Sequence, residues 1–238
     1  MSPSETYLAL FNEIDKHLDL VVNQTDRFMP YNQKLKFIAK GNYSISKFVR
    51  LHDHSLKYFG ELRNMISHGL RESREVYAEP SAFALEQIKT YRDTITRPLK
   101  ITDIFSPTIL TAKVQDHVQA TIAMMNQEKK HIPVFDGNVF CGLFDWKTIS
   151  ELLEKSDYYI DKSLRFSDIA AMLSQDNVLF WDKDASIFDA EKIFEEKRLK
   201  QDALRVLFIT RDAASSEILA VISASDLPLI MDRILLTE

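Results

Sequence analysis

The chain has 238 residues, 45% of them hydrophobic and 27% charged, which suits one large domain or two small ones and rules out wholesale disorder. It holds only 5 glycines, where average usage of about 7% would give roughly 17. Neither G-x-G-x-x-G nor G-x-x-x-x-G-K-[ST] occurs, so Walker-type NTPases and Rossmann dehydrogenases are excluded.

The net charge of −5 is unevenly spread: residues 1–100 carry 15 Lys+Arg against 12 Asp+Glu, and the remainder 15 against 23. That contrast suggests two domains with different partners, and the weakly basic first part permits RNA without requiring it. A single cysteine, Cys141, excludes an internal disulfide and any cysteine-based zinc site. No apolar run approaches the roughly 20 residues that span a bilayer. The opening Met-Ser-Pro-Ser-Glu lacks a basic stretch leading into an apolar one. The expected setting is therefore the cytoplasm, without membrane contact.

The first hundred residues read as helices. Ser2-Pro3-Ser4-Glu5 has the form of a capping box, and Tyr7, Phe11, Ile14, Leu18 and Val21 recur at helical spacing as far as about Asn23. A turn over Asp26–Pro30 precedes a helix around Gln33–Lys40 that ends at Gly41. A long helix is expected from near Ser44 to Ser67–His68, with Gly69 as its stop. Pro80-Ser81 opens a last helix through Leu85, Ile88, Tyr91 and Ile95. Four or so helices with short connections make a bundle.

Within the long helix, His52 and His54 lie two residues apart and point about 200° apart, so they do not chelate a metal as an i,i+4 pair does; a solvated or interface face is expected for them. Toward its end stands Arg63-Asn64-Met65-Ile66-Ser67-His68, followed by Gly69. This stretch resembles the R-[polar]-x-x-x-H signature of HEPN domains, helical bundles of which many are metal-independent RNases working at a two-fold dimer interface. The resemblance implies that Arg63 stabilises the charged transition state, that His68 transfers protons, and that Asn64 holds the phosphate or orients the histidine. Five steps of about 100° place Arg63 and His68 roughly 140° apart, so the catalytic reading needs a homodimer. The plainer reading makes Arg63 a surface ion-pair partner and His68 a cap on the helix end.

The second part repeats. Asp116–Ala120 answers Ser186–Ala190 at an offset of 70; His131–Asp136 answers Arg205–Thr210 at 74; Gly142–Thr148 answers Ala220–Asp226 at 78. Each copy reads strand, helix, strand, hairpin, strand, helix, with Asp136-Gly137-Asn138 as the first hairpin turn. The order, with His131-Ile132-Pro133-Val134-Phe135-Asp136 and Ile222-Ser223-Ala224-Ser225-Asp226-Leu227, resembles a tandem CBS domain pair. The expected fold class is thus α+β in two domains. Residues 1–97 form a helical bundle and residues 98–238 the CBS pair, with copies at about 99–155 and 160–236.

CBS pairs are regulatory modules that often dimerise, and many bind AMP, ADP, ATP or S-adenosylmethionine between the copies. Their ligand signature is a strand ending in h-[ST]-x-x-D, in which the Ser/Thr meets phosphate and the Asp takes the ribose hydroxyls. The second copy matches with Ser223 and Asp226; the first departs, with Asp145 at the Ser/Thr position and Thr148 at the Asp position. One competent site and one dead or altered site follow. The resemblance also makes Lys130, His131 and Arg205 phosphate partners, and sets Phe180 and Trp181 either beside the adenine or in the core. No metal is implied. Thr96-Arg97-Pro98 is a short hinge, so a ligand-driven change in the pair has a route to the bundle. The resulting expectation is a nucleotide-sensing protein whose bundle is a metal-independent endoribonuclease; the alternative is a non-enzymatic sensor whose bundle dimerises or recruits a partner.

Overall fold

The structure, a computed structural model, describes residues 1–22, 29–72, 78–105, 109–126, 130–200, 204–211 and 217–236; the side chains of residues 68–72 lie outside that description. It divides into two compact units. The first comprises residues 1–99 with 187–189 and 231–238, and the second residues 100–186 with 190–230.

The first unit is built on five helices: α1 (Pro3–Val21), α2 (Tyr31–Lys40), α3 (Ser46–Leu51), α4 (Asp53–Glu72) and α5 (Ala82–Thr96). The helix starts have local causes. Glu5 N donates to Ser2 Oγ at 3.2 Å while Ser2 N donates back to Glu5 Oε2 at 2.7 Å, closing the capping box. Ala84 N donates to Ser81 Oγ at 3.1 Å, which caps α5. Helix α1 packs on α2, α4 and α5. Its inward face of Tyr7, Phe11, Ile14 and Leu18 is buried, as are Leu56 and Phe59 of α4 and Ile88 and Ile95 of α5. Two phenols, buried Tyr7 and partly buried Tyr31, tie neighbouring helices to α4: Tyr7 donates to the Phe59 carbonyl and Tyr31 to the Leu56 carbonyl, both at 3.1 Å. Lys34, 4% exposed along its side chain, pairs with Asp15 at 2.6 Å and Asp19 at 2.7 Å.

Three expectations for the long helix are corrected. It is interrupted at His52 (φ −109°, ψ 19°), where α3 gives way to α4. The imidazole is half-buried, not solvated: Nε2 lies 2.8 Å from the Ile234 carbonyl and Nδ1 2.8 Å from the Tyr91 hydroxyl, with the ring stacked near Phe48. A carbonyl can only accept, so Nε2 carries the proton and the neutral ring accepts from Tyr91. Burial pushes its pKa below the ordinary range. Nor does Gly69 stop the helix, which continues to Glu72; an interior glycine costs only about 1 kcal/mol, and the buried Leu62 and Ile66 anchor the preceding turns.

The second unit opens with a one-turn helix, α6 (Ile101–Ile104), and then holds two copies of one pattern. The first runs β1 (Ala112–Lys113), α7 (Val118–Met124), β2 (His131–Asp136), β3 (Val139–Asp145) and α8 (Trp146–Lys155). The other is made from β4 (Val178–Asp182), α9 (Ile187–Leu199), β5 (Val206–Thr210), β6 (Ile218–Ser223) and α10 (Leu227–Leu235), and the ends of α9 and α10 at residues 187–189 and 231–235 count with the first unit. Each copy makes a three-stranded sheet with a parallel pair (β1 on β2, β4 on β5) and an antiparallel pair (β2 on β3, β5 on β6).

The β2–β3 loop is Gly137-Asn138, and within it only Gly137 takes a positive φ (57°), the pattern of a type II′ turn. Successive residues of β3 face opposite ways. Phe144 enters a core with Ile132, Val134, Ile149, Phe166 and Leu173, while Leu143 packs with Val206 and Phe208 of the other sheet, flanked by Phe140 and Phe180. Strands buried on both faces account for apolar runs such as Ile132–Phe135 and Val206–Ile209.

The register corrects the alignment of the repeats. His131 pairs with Asp145, and Val206 pairs with Ser223, each at the end of its sheet. His131 therefore corresponds to Val206 and Lys130 to Arg205. The shift matters because one residue along a strand exchanges its two faces.

Candidate functional site

The matched ends of the two sheets bring together most of the residues singled out in the repeat. Lys130 and Arg205 each stand one residue before a middle strand. Each reaches across to the end of the third strand of the other copy, Arg205 to the last residue of β3 and Lys130 to a residue just past β6.

Arg205 Nη2 donates to Asp145 Oδ2, an ion pair whose side chains are 21% and 8% exposed. The other carboxylate oxygen is committed as well: Oδ1 accepts from Thr148 N at 3.1 Å and from Thr148 Oγ1 at 3.3 Å, capping α8. Thr148 is itself buried. One carboxylate thus serves as helix cap and as counterion.

On the other side Lys130 Nζ donates to Ser225 Oγ at 2.6 Å, and Ser225 Oγ shares a hydrogen bond of 2.8 Å with Ser223 Oγ. Ser223 gives its backbone N–H at 2.7 Å and its hydroxyl at 2.9 Å to the same oxygen of Asp226, Oδ2. Asp226 Oδ1 has no hydrogen bond among the described residues. Lys130, unlike Arg205, makes no ion pair among them.

His131 sits between the two arms. Its Nδ1 is buried without a hydrogen-bond partner among the described residues. Burial lowers its pKa first; the Asp145 charge opposes that, while Lys130 and Arg205 reinforce it. The ring is held neutral at pH 7, with a polar edge unspent inside a ring of charged groups.

The five expected nucleotide contacts, Ser223, Asp226, Arg205, His131 and Lys130, thus share one neighbourhood. Two of its members were not foreseen. Ser225 is the residue that meets Lys130, and its signal was the extra serine in Ser223-Ala224-Ser225-Asp226. Asp145 was read as a departure from the signature, but its pairing with a residue 60 positions away is not readable from spacing. Phe180 packs on Phe140 and Phe208 with ring centroids 5.0 and 5.3 Å away, a core position, whereas Trp181 is 39% exposed.

In the first unit, Arg63 Nη1 donates to Asn64 Oδ1 at 3.1 Å, and the guanidinium carbon lies 5.8 Å from the Phe11 ring centroid. Both residues line a cavity of about 280 Å³ with Phe11, Tyr31, Asn32 and Gly60. Arg63 Nε is buried without a hydrogen-bond partner. The His68 side chain lies outside the described residues. No group of three or more His, Cys, Asp or Glu among the described residues is placed to hold a metal ion. No helix among them is long and apolar enough to cross a membrane.

No family model and no curated protein matches the chain. Solved structures do, at low identity. A CBS domain pair in complex with 5′-methylthioadenosine and S-adenosyl-L-methionine is 12% identical with a TM-score of 0.41, covering 56% of this chain and 96% of that one. The CBS domain of a bacterial CNNM/CorC family Mg²⁺ transporter in complex with ATP is 13% identical with a TM-score of 0.40, covering 63% and 94%. A CBS domain protein of unknown function from Thermoplasma acidophilum is 14% identical with a TM-score of 0.40, covering 58% and 75%.

Proposed function

We propose that the second unit is a CBS-type module that senses an adenine nucleotide, AMP, ADP or ATP, or S-adenosylmethionine, and that it regulates the helical unit. The observation that carries this reading is the arm formed by Lys130, Ser225, Ser223 and Asp226. Among the described residues, a cation without an ion-pair partner stands beside two hydroxyls, next to a carboxylate with one oxygen unspent. Phosphate suits the first group and a ribose diol suits the second. The buried Nδ1 of His131, unpartnered among the described residues, adds a polar atom still to be satisfied. Domain limits at residues 1–97 and 98–238 belong to the same reading.

Differential scanning fluorimetry against a panel of AMP, ADP, ATP, adenosine and S-adenosylmethionine tests it. At least one is expected to raise the melting temperature of the native protein and not of the Asp226→Ala protein. No shift with any of the five would end the reading.

For the helical unit, one observation supports each of two roles. Arg63 and Asn64 are joined at the edge of a cavity, which supports the metal-independent ribonuclease with Arg63, Asn64 and His68 at its centre, acting as a homodimer on RNA. Tyr58 and Met65 stand seven residues apart on α4 and are 47% and 48% exposed, which supports a non-enzymatic bundle that dimerises or binds a partner. Incubation with mixed RNA in EDTA, beside His68→Ala, separates the two. Cleavage lost in the variant assigns the ribonuclease; equal, absent cleavage assigns the binding role.

A further inference from the structure

The two cross-copy arms are built alike and loaded differently. Lys130 and Arg205 occupy corresponding positions, each reaching to a residue at or just past the end of the other copy's third strand. Arg205 meets a carboxylate both of whose oxygens are engaged. Lys130 meets a hydroxyl. We propose that Asp145 is a built-in anion on Arg205 and that it sets the charge specificity of this junction, restricting it to one anionic ligand group per chain, on the Lys130 side. The inference rests on the nucleotide reading above and deepens it.

A ligand phosphate approaching Arg205 has to break an ion pair sheltered from water, where charges are weakly screened and attraction is strong. The displaced carboxylate stays beside it, because Asp145 is also held by Thr148 at the start of α8, so two negative groups would share one pocket. Neither obstacle exists on the Lys130 side. There the equivalent helix start is organised by Ser223 and Asp226, and among the described residues the cation is held by Ser225 alone. A nucleoside monophosphate fits this asymmetry, its phosphate on Lys130 and Ser225 and its diol on Asp226.

Neutralising Asp145 without losing its cap is the direct test. Serine and asparagine are both good N-cap residues, so Asp145→Ser and Asp145→Asn retain the start of α8 while freeing Arg205. Isothermal titration of the full chain with AMP, and in parallel with adenosine, reads stoichiometry and charge dependence together. The wild type is expected to take one AMP per chain. Either variant is expected to take two, the second lost in the Asp145→Ser, Arg205→Ala protein, with adenosine affinity changed less than 2-fold. A thermal melt of each variant establishes that it is folded, and the asparagine variant stands in if the serine variant is not. One AMP per chain in wild type and variants alike overturns the inference and leaves the nucleotide reading standing. Two per chain in the wild type also overturns it. No AMP bound by any of the proteins overturns both.

Discussion

Gly142 offers the sharpest test of the packing in the second unit. It lies in β3 opposite Val134, next to the bulge that β3 makes at Cys141, with φ at +151°. An added Cβ would stand 2.6 Å from Leu173 Cβ, 2.9 Å from the Leu173 carbonyl carbon and 3.0 Å from its oxygen. The obstacle is largely backbone, and that backbone is fixed. Leu143 N donates to the Ser174 carbonyl at 2.8 Å, and Gln175 Nε2 donates to the Cys141 carbonyl at 3.0 Å. Gly142→Ala therefore combines backbone strain of about 1–3 kcal/mol with overpacking of about 1–3 kcal/mol. A stiffer unfolded chain returns roughly 0.4–1 kcal/mol, leaving a net loss on the order of 1.5–5 kcal/mol. Gly137 is the control: its φ is +57°, but no atom lies within 4 Å of its would-be Cβ. Gly137→Ala should cost only the conformational part, about 1–2 kcal/mol. Urea denaturation followed by circular dichroism reads both. If Gly142→Ala costs no more than Gly137→Ala, the close approach of Leu173 to β3 is wrong.

Three further outcomes follow from the helical unit. Ser81→Ala removes the oxygen that caps α5 and should cost about 1 kcal/mol, read as a lower urea midpoint with an unchanged slope. Lys34→Met strands Asp15 and Asp19; because these are 32% and 42% exposed and can be hydrated, the loss should be about 1–3 kcal/mol, less than for a fully buried pair. A variant as stable as wild type would show that the pairs contribute nothing. His52 has a folded pKa below its ordinary 6.5, so the unfolded chain takes up the proton first. The stability it contributes is present above pH 6.5 and falls as the pH drops through and below that value. His17 and His131 are shifted the same way, so the readout is the difference. Between pH 6.5 and 5, His52→Gln should lose stability less steeply than wild type, and equal slopes would contradict the burial of that ring.

Features governed by neighbours in sequence were legible in advance. The capping box at Ser2 and Glu5, the Ser81 cap and the strand–helix–strand–hairpin–strand–helix order of the two copies depend on contacts a few residues apart or on period-2 and period-3.6 patterns. The features that escaped depend on distant partners. The spacing of His52 from His54 argues against chelation, but says nothing of burial. The burial of His52 is fixed by Tyr91 and Ile234, 39 and 182 residues away, and no local pattern carries that. The repeat offset near the middle strands was misplaced by one residue, because apolar runs buried on both faces carry no alternation to mark the register. Asp145 stood out as a carboxylate where a hydroxyl was expected, yet only the fold brings Arg205 to it. Lys130 and Ser225 are 95 residues apart and meet for the same reason.

The central claim is that the Lys130 side of the junction is built for a nucleotide. Its most direct measurement is isothermal titration of AMP into the native protein and into the Lys130→Ala, Asp226→Ala double variant. One AMP per chain in the native protein, with affinity falling at least 10-fold in a variant that melts as a folded protein, is the result expected. Equal affinity in the two proteins, or no heat of binding in the native one, would contradict it.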